Sequence, residues 1–181
     1  LDDDRNGIPD GWNITLHDET THSGGYDAEV FRSAPYSVRM EGKTAEGGAR
    51  AALHRLVPLA PGKYELSVWY RLQPGEKGKG ALVVYYVDAA GKMVEGAGCA
   101  VDLPAAADWT LAKLPFEVPA KAASATLLMY LHGPGKVWYD DVALTAAGSA
   151  ENMLGTGQRG AVVRTVHNPF GYGKNVVVLG A

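Results

Sequence analysis

Cysteine is nearly absent: the 181-residue chain has one, Cys99. That excludes an internal disulfide framework and any thiolate metal site of the zinc-finger kind. No apolar run approaches the ~20 residues that a bilayer-crossing helix requires. Excess basic charge is missing too. The 17 Lys and Arg stand against 20 Asp and Glu, net -3, and the cations are scattered, so no electropositive footprint for nucleic acid is expected. Neither Ser nor Cys occupies a nucleophile elbow, and Cys99 sits in a Gly/Ala stretch with no obvious base, so catalysis within this chain is not expected. The glycines and lysines of PGEKGKG, residues 74–80, lack the context of a phosphate cradle, because this stretch joins two strands instead of opening a helix. Helical periodicity is weak throughout.

Period two is what the sequence has in quantity. Between about residue 36 and residue 144, short alternating runs are separated by Gly, Pro and Asp clusters, the pattern of an all-β, antiparallel two-sheet sandwich. In KYELSVWYRL, Tyr64, Leu66, Val68 and Tyr70 share one face and Glu65, Ser67, Trp69 and Arg71 the other. GKGALVVYYVDAAGK sets Leu82, Val84 and Tyr86 against Ala81, Val83, Tyr85 and Val87; both faces are largely apolar, so a central strand is expected. SATLLMYLHG sets Leu127, Met129 and Leu131 against Leu128, Tyr130 and His132. After Thr145 the composition turns small, polar and Gly-rich, as in a linker, and is followed by two short β-like runs, AVVRTVHNP and FGYGKNVVVLGA. The expected division is a sandwich at 1–146, a linker at 147–160 and the start of a further, truncated domain at 161–181. The chain opens without Met inside an acidic loop and is expected to be a fragment of a longer protein.

That loop, DDDRNGIPDGW, alternates oxygen-bearing side chains. Asp2, Asp4, Asn6, the Ile8 carbonyl and Asp10 fall at alternate ligand positions of a calcium-loop template, with Gly7 where the sharp turn comes. The closing glutamate is missing: Asn13 stands in its place, and Pro9 with Trp12 argues against a following helix. Either a calcium loop of another architecture borrows a carboxylate from elsewhere, or the stretch is a solvated Asp/Gly/Pro turn. In KVWYDDVALT, strict alternation puts Asp140 on the face of Trp138, Val142 and Leu144, and so into the core. A carboxylate there needs a cation or a cluster of N–H donors. Asp140 is therefore the candidate borrowed ligand, the alternative being an Asp at a strand edge bonded to loop backbone.

The order DDDRNGIPDGW, APYSVRMEG, LAPGKYELSVWYRL, VVYYVDAAGK, ADWTLAKLPFEVP and GKVWYDDVAL resembles the carbohydrate-binding modules of the galactose-binding-like jelly roll. The nearest are the xylan- and glucan-binding modules of bacterial glycoside hydrolases and polysaccharide lyases. The resemblance covers residues 1 to about 146. It implies two facing antiparallel sheets, a structural calcium ion and sugar-binding aromatics on a concave sheet or at loop tips. It also implies a non-catalytic role within a larger secreted or periplasmic bacterial enzyme, with a neighbouring catalytic domain as partner. One departure is that such modules usually begin with an Asn-Phe-Glu-like strand whose acidic residue helps hold the calcium, and this chain starts after that point. Pyranose C–H faces stack on aromatic rings while hydroxyls need planar donors and acceptors. Trp69, Arg71, Tyr85, Tyr130 and His132 are accordingly the expected carbohydrate-binding residues, forming one surface, unless Trp69 covers the core. The competing functional expectation is a spacer that keeps the sandwich, has lost its sugar face and packs against its neighbour.

Overall fold

The computed structural model describes residues 8–44 and 46–154. Ten strands follow one another: β1 Asn13–Leu16, β2 His22–Asp27, β3 Ser37–Gly42, β4 Arg50–Pro58, β5 Gly62–Pro74, β6 Lys79–Val87, β7 Cys99–Leu103, β8 Ala106–Val118, β9 Ser124–His132 and β10 Gly135–Ala146. They form two five-stranded sheets, a front sheet ordered β1-β4-β9-β6-β7 and a back sheet ordered β2-β3-β10-β5-β8. All pairings are antiparallel. Two sheets with mostly sheet-to-sheet crossings make a jelly-roll β-sandwich, as the alternation predicts.

The alternation also predicts which side chains meet between the sheets. Leu66, Val68, Tyr70 and Leu72 of β5, Leu82, Val84 and Tyr86 of β6, and Leu127, Met129 and Leu131 of β9 are all buried in one core cluster. Fully burying one such side chain stabilises the fold by roughly 1.5–3 kcal/mol. Tyr139 of β10 crosses this core and its hydroxyl donates to the Tyr130 carbonyl at 2.9 Å, tying the back sheet to β9. Burial raises the Tyr139 phenol pKa, with Tyr70 adding to the effect.

β10 departs from strict alternation. Asp140 pairs with Trp69 but Ala143 pairs with Ser67, so one extra residue is inserted, and Asp141 there has a φ of 46°. A bulge of this kind exchanges the faces on either side of it. Val137, Tyr139 and Leu144 therefore point inward, whereas Trp138 and Asp140 lie on the outer face with Arg71 and Trp69. The inward placement of Asp140 expected from the sequence is thus corrected.

β1 and β2 lie before the stretch in which the sequence shows clear alternation. β2 reads HSGGYD, and its paired glycines give no strand signal. Packing explains one of them: a Cβ on Gly24 would come within 3.1 Å of the Ile14 side chain. At the other end the sandwich continues past the expected boundary at 146. Asn152 Oδ1 accepts from the Leu144 amide at 3.0 Å and the Leu154 amide at 3.1 Å, and Leu154 is part of the buried core. The rest of the expected linker, the expected strands at 161–181, and Asp2, Asp4 and Asn6 lie outside the described residues.

Candidate functional site

The five residues expected on one surface are divided between two. Trp69 and Arg71 are on β5, in the back sheet, while Tyr85 is on β6 and Tyr130 and His132 are on β9, in the front sheet. Each occupies the outward side that parity predicts, but the sandwich lies between the two sets. Alternation assigns a residue to a face of its own sheet and carries no information about which sheet that is.

On the back sheet the aromatic rings are engaged by guanidinium groups. Arg32, from the loop between β2 and β3, lies over the Trp69 ring at 4.0 Å, and Arg71 lies over the Trp138 ring at 5.7 Å. Trp138 Nε1 donates to Asp27 Oδ2 at 2.9 Å. Burial alone would raise the pKa of Asp27, but that bond, the Val30 and Glu29 amides and nearby Arg39 outweigh it and hold the carboxyl below its usual range. The Asp140 carboxylate receives the Arg32 and Ser33 amides at 2.7 and 3.0 Å on Oδ2 and the Asp141 amide at 2.8 Å on Oδ1. Asp141 pairs with the Arg32 guanidinium and accepts from the Ser33 hydroxyl. This network pins the β2–β3 loop to the outer face. Trp69 and Asp140 are thereby used structurally, and Arg71 donates through Nε to the Ala107 carbonyl of β8 at 2.7 Å.

The outer face of the front sheet is different. Ala52, Ala81, Val83, Leu128 and Tyr130 form a second apolar cluster separate from the core, with Tyr85 packed against it. Tyr130 is 7% exposed and Leu128 only 1%. Small residues on β4 and β6 flank the β9 side chains: Ala52 and Ala81 both pair with Tyr130. The result is a low apolar floor, and polar groups stand around it. His54 Nε2 is 2.9 Å from Thr15 Oγ1, and the Tyr130 and His132 rings lie 5.1 Å apart. Burial raises the Tyr130 phenol to about 12, with Tyr85 adding to this and Arg50 opposing it. The His132 pKa is lowered, first by burial and then by Lys79 and Arg50, with Asp102 acting against them. Arg50, Lys79, Asp102, His54 and Thr15 were not singled out in the sequence. Their meeting across β1, β4, β6 and β7 is set by topology and leaves no local signal in the sequence.

The expected metal ligands are not gathered in what is described. Among the described residues no three His, Cys, Asp or Glu side chains come together as a metal ion would require. Asp10 lies in the turn before β1, where the Trp12 amide bonds the Pro9 carbonyl at 3.0 Å. Asp140 has three N–H donors and so does not call for a cation. Its environment is the loop-backbone alternative raised by the sequence.

No protein-family profile matches the chain, and no curated protein matches it. Solved structures do match. The enzymatically active domain of tailspike protein 4 from bacteriophage CBA120 aligns at TM-score 0.63 and 14% identity, covering 76% of this chain; the chain spans 19% of that one. A family 16 carbohydrate-binding module aligns at TM-score 0.55 and 19% identity, covering 77% of this chain and 96% of the module. The family 22 xylan-binding domain of Paenibacillus barcinonensis Xyn10C aligns at TM-score 0.55 and 16% identity, covering 80% of this chain and 90% of that domain. At these identities the likeness is one of fold: the chain has the β-sandwich of carbohydrate-binding modules.

Proposed function

We propose that this chain is a non-catalytic polysaccharide-binding module of a larger bacterial enzyme exported to the periplasm or the medium, a glycoside hydrolase or polysaccharide lyase. The convergence of Tyr85, Tyr130 and His132 on the front face carries the proposal. The half-buried Tyr85 and His132 rings beside a low apolar floor that includes Tyr130 offer stacking surfaces, and the surrounding polar groups suit hydroxyls. A shallow face of this kind yields about 4–8 kcal/mol, a Kd in the micromolar to millimolar range. The back-sheet pair is engaged within the fold instead, Trp69 beneath Arg32 and Arg71 donating through Nε to the Ala107 carbonyl at 2.7 Å. Support comes from the fold shared with family 16 and family 22 modules, one of which is described as xylan-binding.

Retention on insoluble polysaccharides tests the assignment. Tyr85→Ala and Tyr130→Ala should each lose retention, and Trp69→Ala should keep it while melting at lower temperature. Because Tyr130 is buried, Tyr85→Ala is the cleaner variant. Loss of retention in Trp69→Ala with full retention in Tyr85→Ala would move the sugar face to the back sheet.

A second reading is favoured by the burial of the front-face cluster. A floor of Ala52, Ala81, Val83 and Leu128 is apolar enough to pack against a neighbouring catalytic domain, as a spacer would. Failure of the folded chain to bind any polysaccharide would favour it. In either reading, we propose a structural calcium ion held by Asp2, Asp4, Asn6 and Asp10, the alternating oxygens of the acidic loop.

A further inference from the structure

Directly beyond Tyr130, where β9 ends and β4 begins, the front face changes character. Arg50 and Lys79 both pair with His132, one from each side. The His17 amide bonds the Arg50 carbonyl at 2.9 Å, continuing the β1–β4 pairing by one residue. Parity sets His17 on the same outward side as Thr15 and Arg50. Four nitrogen-bearing side chains thus form one row across four neighbouring strands. His132 and His17 are half-buried, and Lys79 is exposed.

Cross-strand partners have Cβ atoms about 4.5–5.5 Å apart, so Arg50 and Lys79 flank His132 from the two neighbouring strands. Asp102, on β7, pairs with Ala81 of β6 and acts on His132 in the opposite sense. The net charge of the chain is -3, so the row is a local feature and not the consequence of a basic protein. A ligand anion seated over His132, between Arg50 and Lys79, would gain charge-assisted hydrogen bonds. The Tyr130 ring, 5.1 Å from His132, places that anion beside the sugar platform.

We infer that His17, Arg50, His132 and Lys79 form an anion subsite at this end of the front face, selecting polysaccharides whose units carry carboxylate or sulfate groups. The inference rests on the front face being the sugar face. Selection arises because an anionic substituent forms charge-assisted hydrogen bonds with Arg50 and Lys79 that a neutral hydroxyl does not match.

The test is affinity electrophoresis of the full chain on paired polymers: glucuronoxylan, polygalacturonate and alginate, each beside its carboxyl-reduced counterpart, and a sulfated galactan beside its desulfated form. Retention should be about tenfold stronger on the anionic member of at least one pair, the equivalent of one charge-assisted contact. A uronate-only preference identifies a carboxylate ligand and a sulfate-only preference a sulfate ester; either supports the subsite. The double variant Arg50→Gln, Lys79→Gln should bring the anionic-to-neutral ratio close to one. Equal retention on both members of every pair, or an unchanged ratio in the double variant, would overturn the subsite and leave the sugar face standing. No retention on any polymer would overturn both readings together.

Discussion

Asp140 shows how far a single side chain can be read from its neighbours in sequence. Alternation assigned it to the core and asked what would neutralise it there; the structure turns it outward and gives it three backbone N–H donors. Asp140→Ala should therefore cost about 1–3 kcal/mol, since it strands the Arg32, Ser33 and Asp141 amides together. Thermal melting would show this as a fall of several degrees with or without metal. If Asp140→Ala melts like the parent, the carboxylate is not the anchor of the β2–β3 loop. Trp69 reads the same way: Trp69→Ala removes the ring beneath Arg32, and a loss of about 1–2 kcal/mol is expected from the cation–π contact and the partly buried ring surface. Cation–π pairing of this sort gives no periodic signal, because the partner lies in a loop distant in sequence.

At the scale of elements, the strands with two apolar sets or a clean apolar-polar alternation were legible, and those without were not. β5, β6 and β9 declare themselves, and their inward residues are the inward residues of the structure. β2 does not: its paired glycines carry no strand signal, and Gly24 answers to contact with Ile14 instead. The front-face site was half legible: Tyr85, Tyr130 and His132 follow from parity, whereas Arg50 and Lys79 become neighbours of His132 only through pairings set by topology. The segment after β10, AAGSAENMLG, has linker composition, while the Asn152 side chain and the Met153 amide, which bonds the Leu144 carbonyl at 2.7 Å, fasten it to β10. Asn152→Ala should free the Leu144 amide, loosen Leu154 from the core and cost about 1–2 kcal/mol. Limited proteolysis near residues 147–151 should accelerate in that variant. Unchanged cleavage would mean that the Met153–Leu144 backbone bond and the burial of Leu154 hold the segment without Asn152.

For the whole molecule, histidine sets the expected response to acid. His22, His54 and His132 all have pKa values lowered chiefly by burial. The unfolded chain binds protons at these positions from about pH 6.5 downward while the folded state resists them, so their contribution is complete above about pH 7 and is lost as pH falls through 6.5 toward the folded values. Melting temperature should drop between pH 7 and pH 5, ahead of any loss from carboxylates such as Asp27, whose lowered pKa acts at more acidic pH. A flat profile over that interval would show that these rings protonate freely in the fold. Chelation provides the other global measurement: with a hundredfold excess of calcium over Kd, the proposed ion adds about 2.7 kcal/mol, which EDTA should remove as a lower melting temperature. No change on chelation would dismiss the acidic-loop site. The extra residue in β10 also bears on how this chain tolerates insertions and deletions. A strand of period two that gains one residue has slipped by half a wavelength, so Trp138 and Leu144, six apart and of the same parity, end on opposite sides. Removing the extra residue between Asp140 and Ala143 would make β10 a regular strand with Val137, Tyr139 and Leu144 all still inward, but would abolish the corner from which Asp141 pairs with Arg32. The core therefore does not need the extra residue; the anchoring of the β2–β3 loop does.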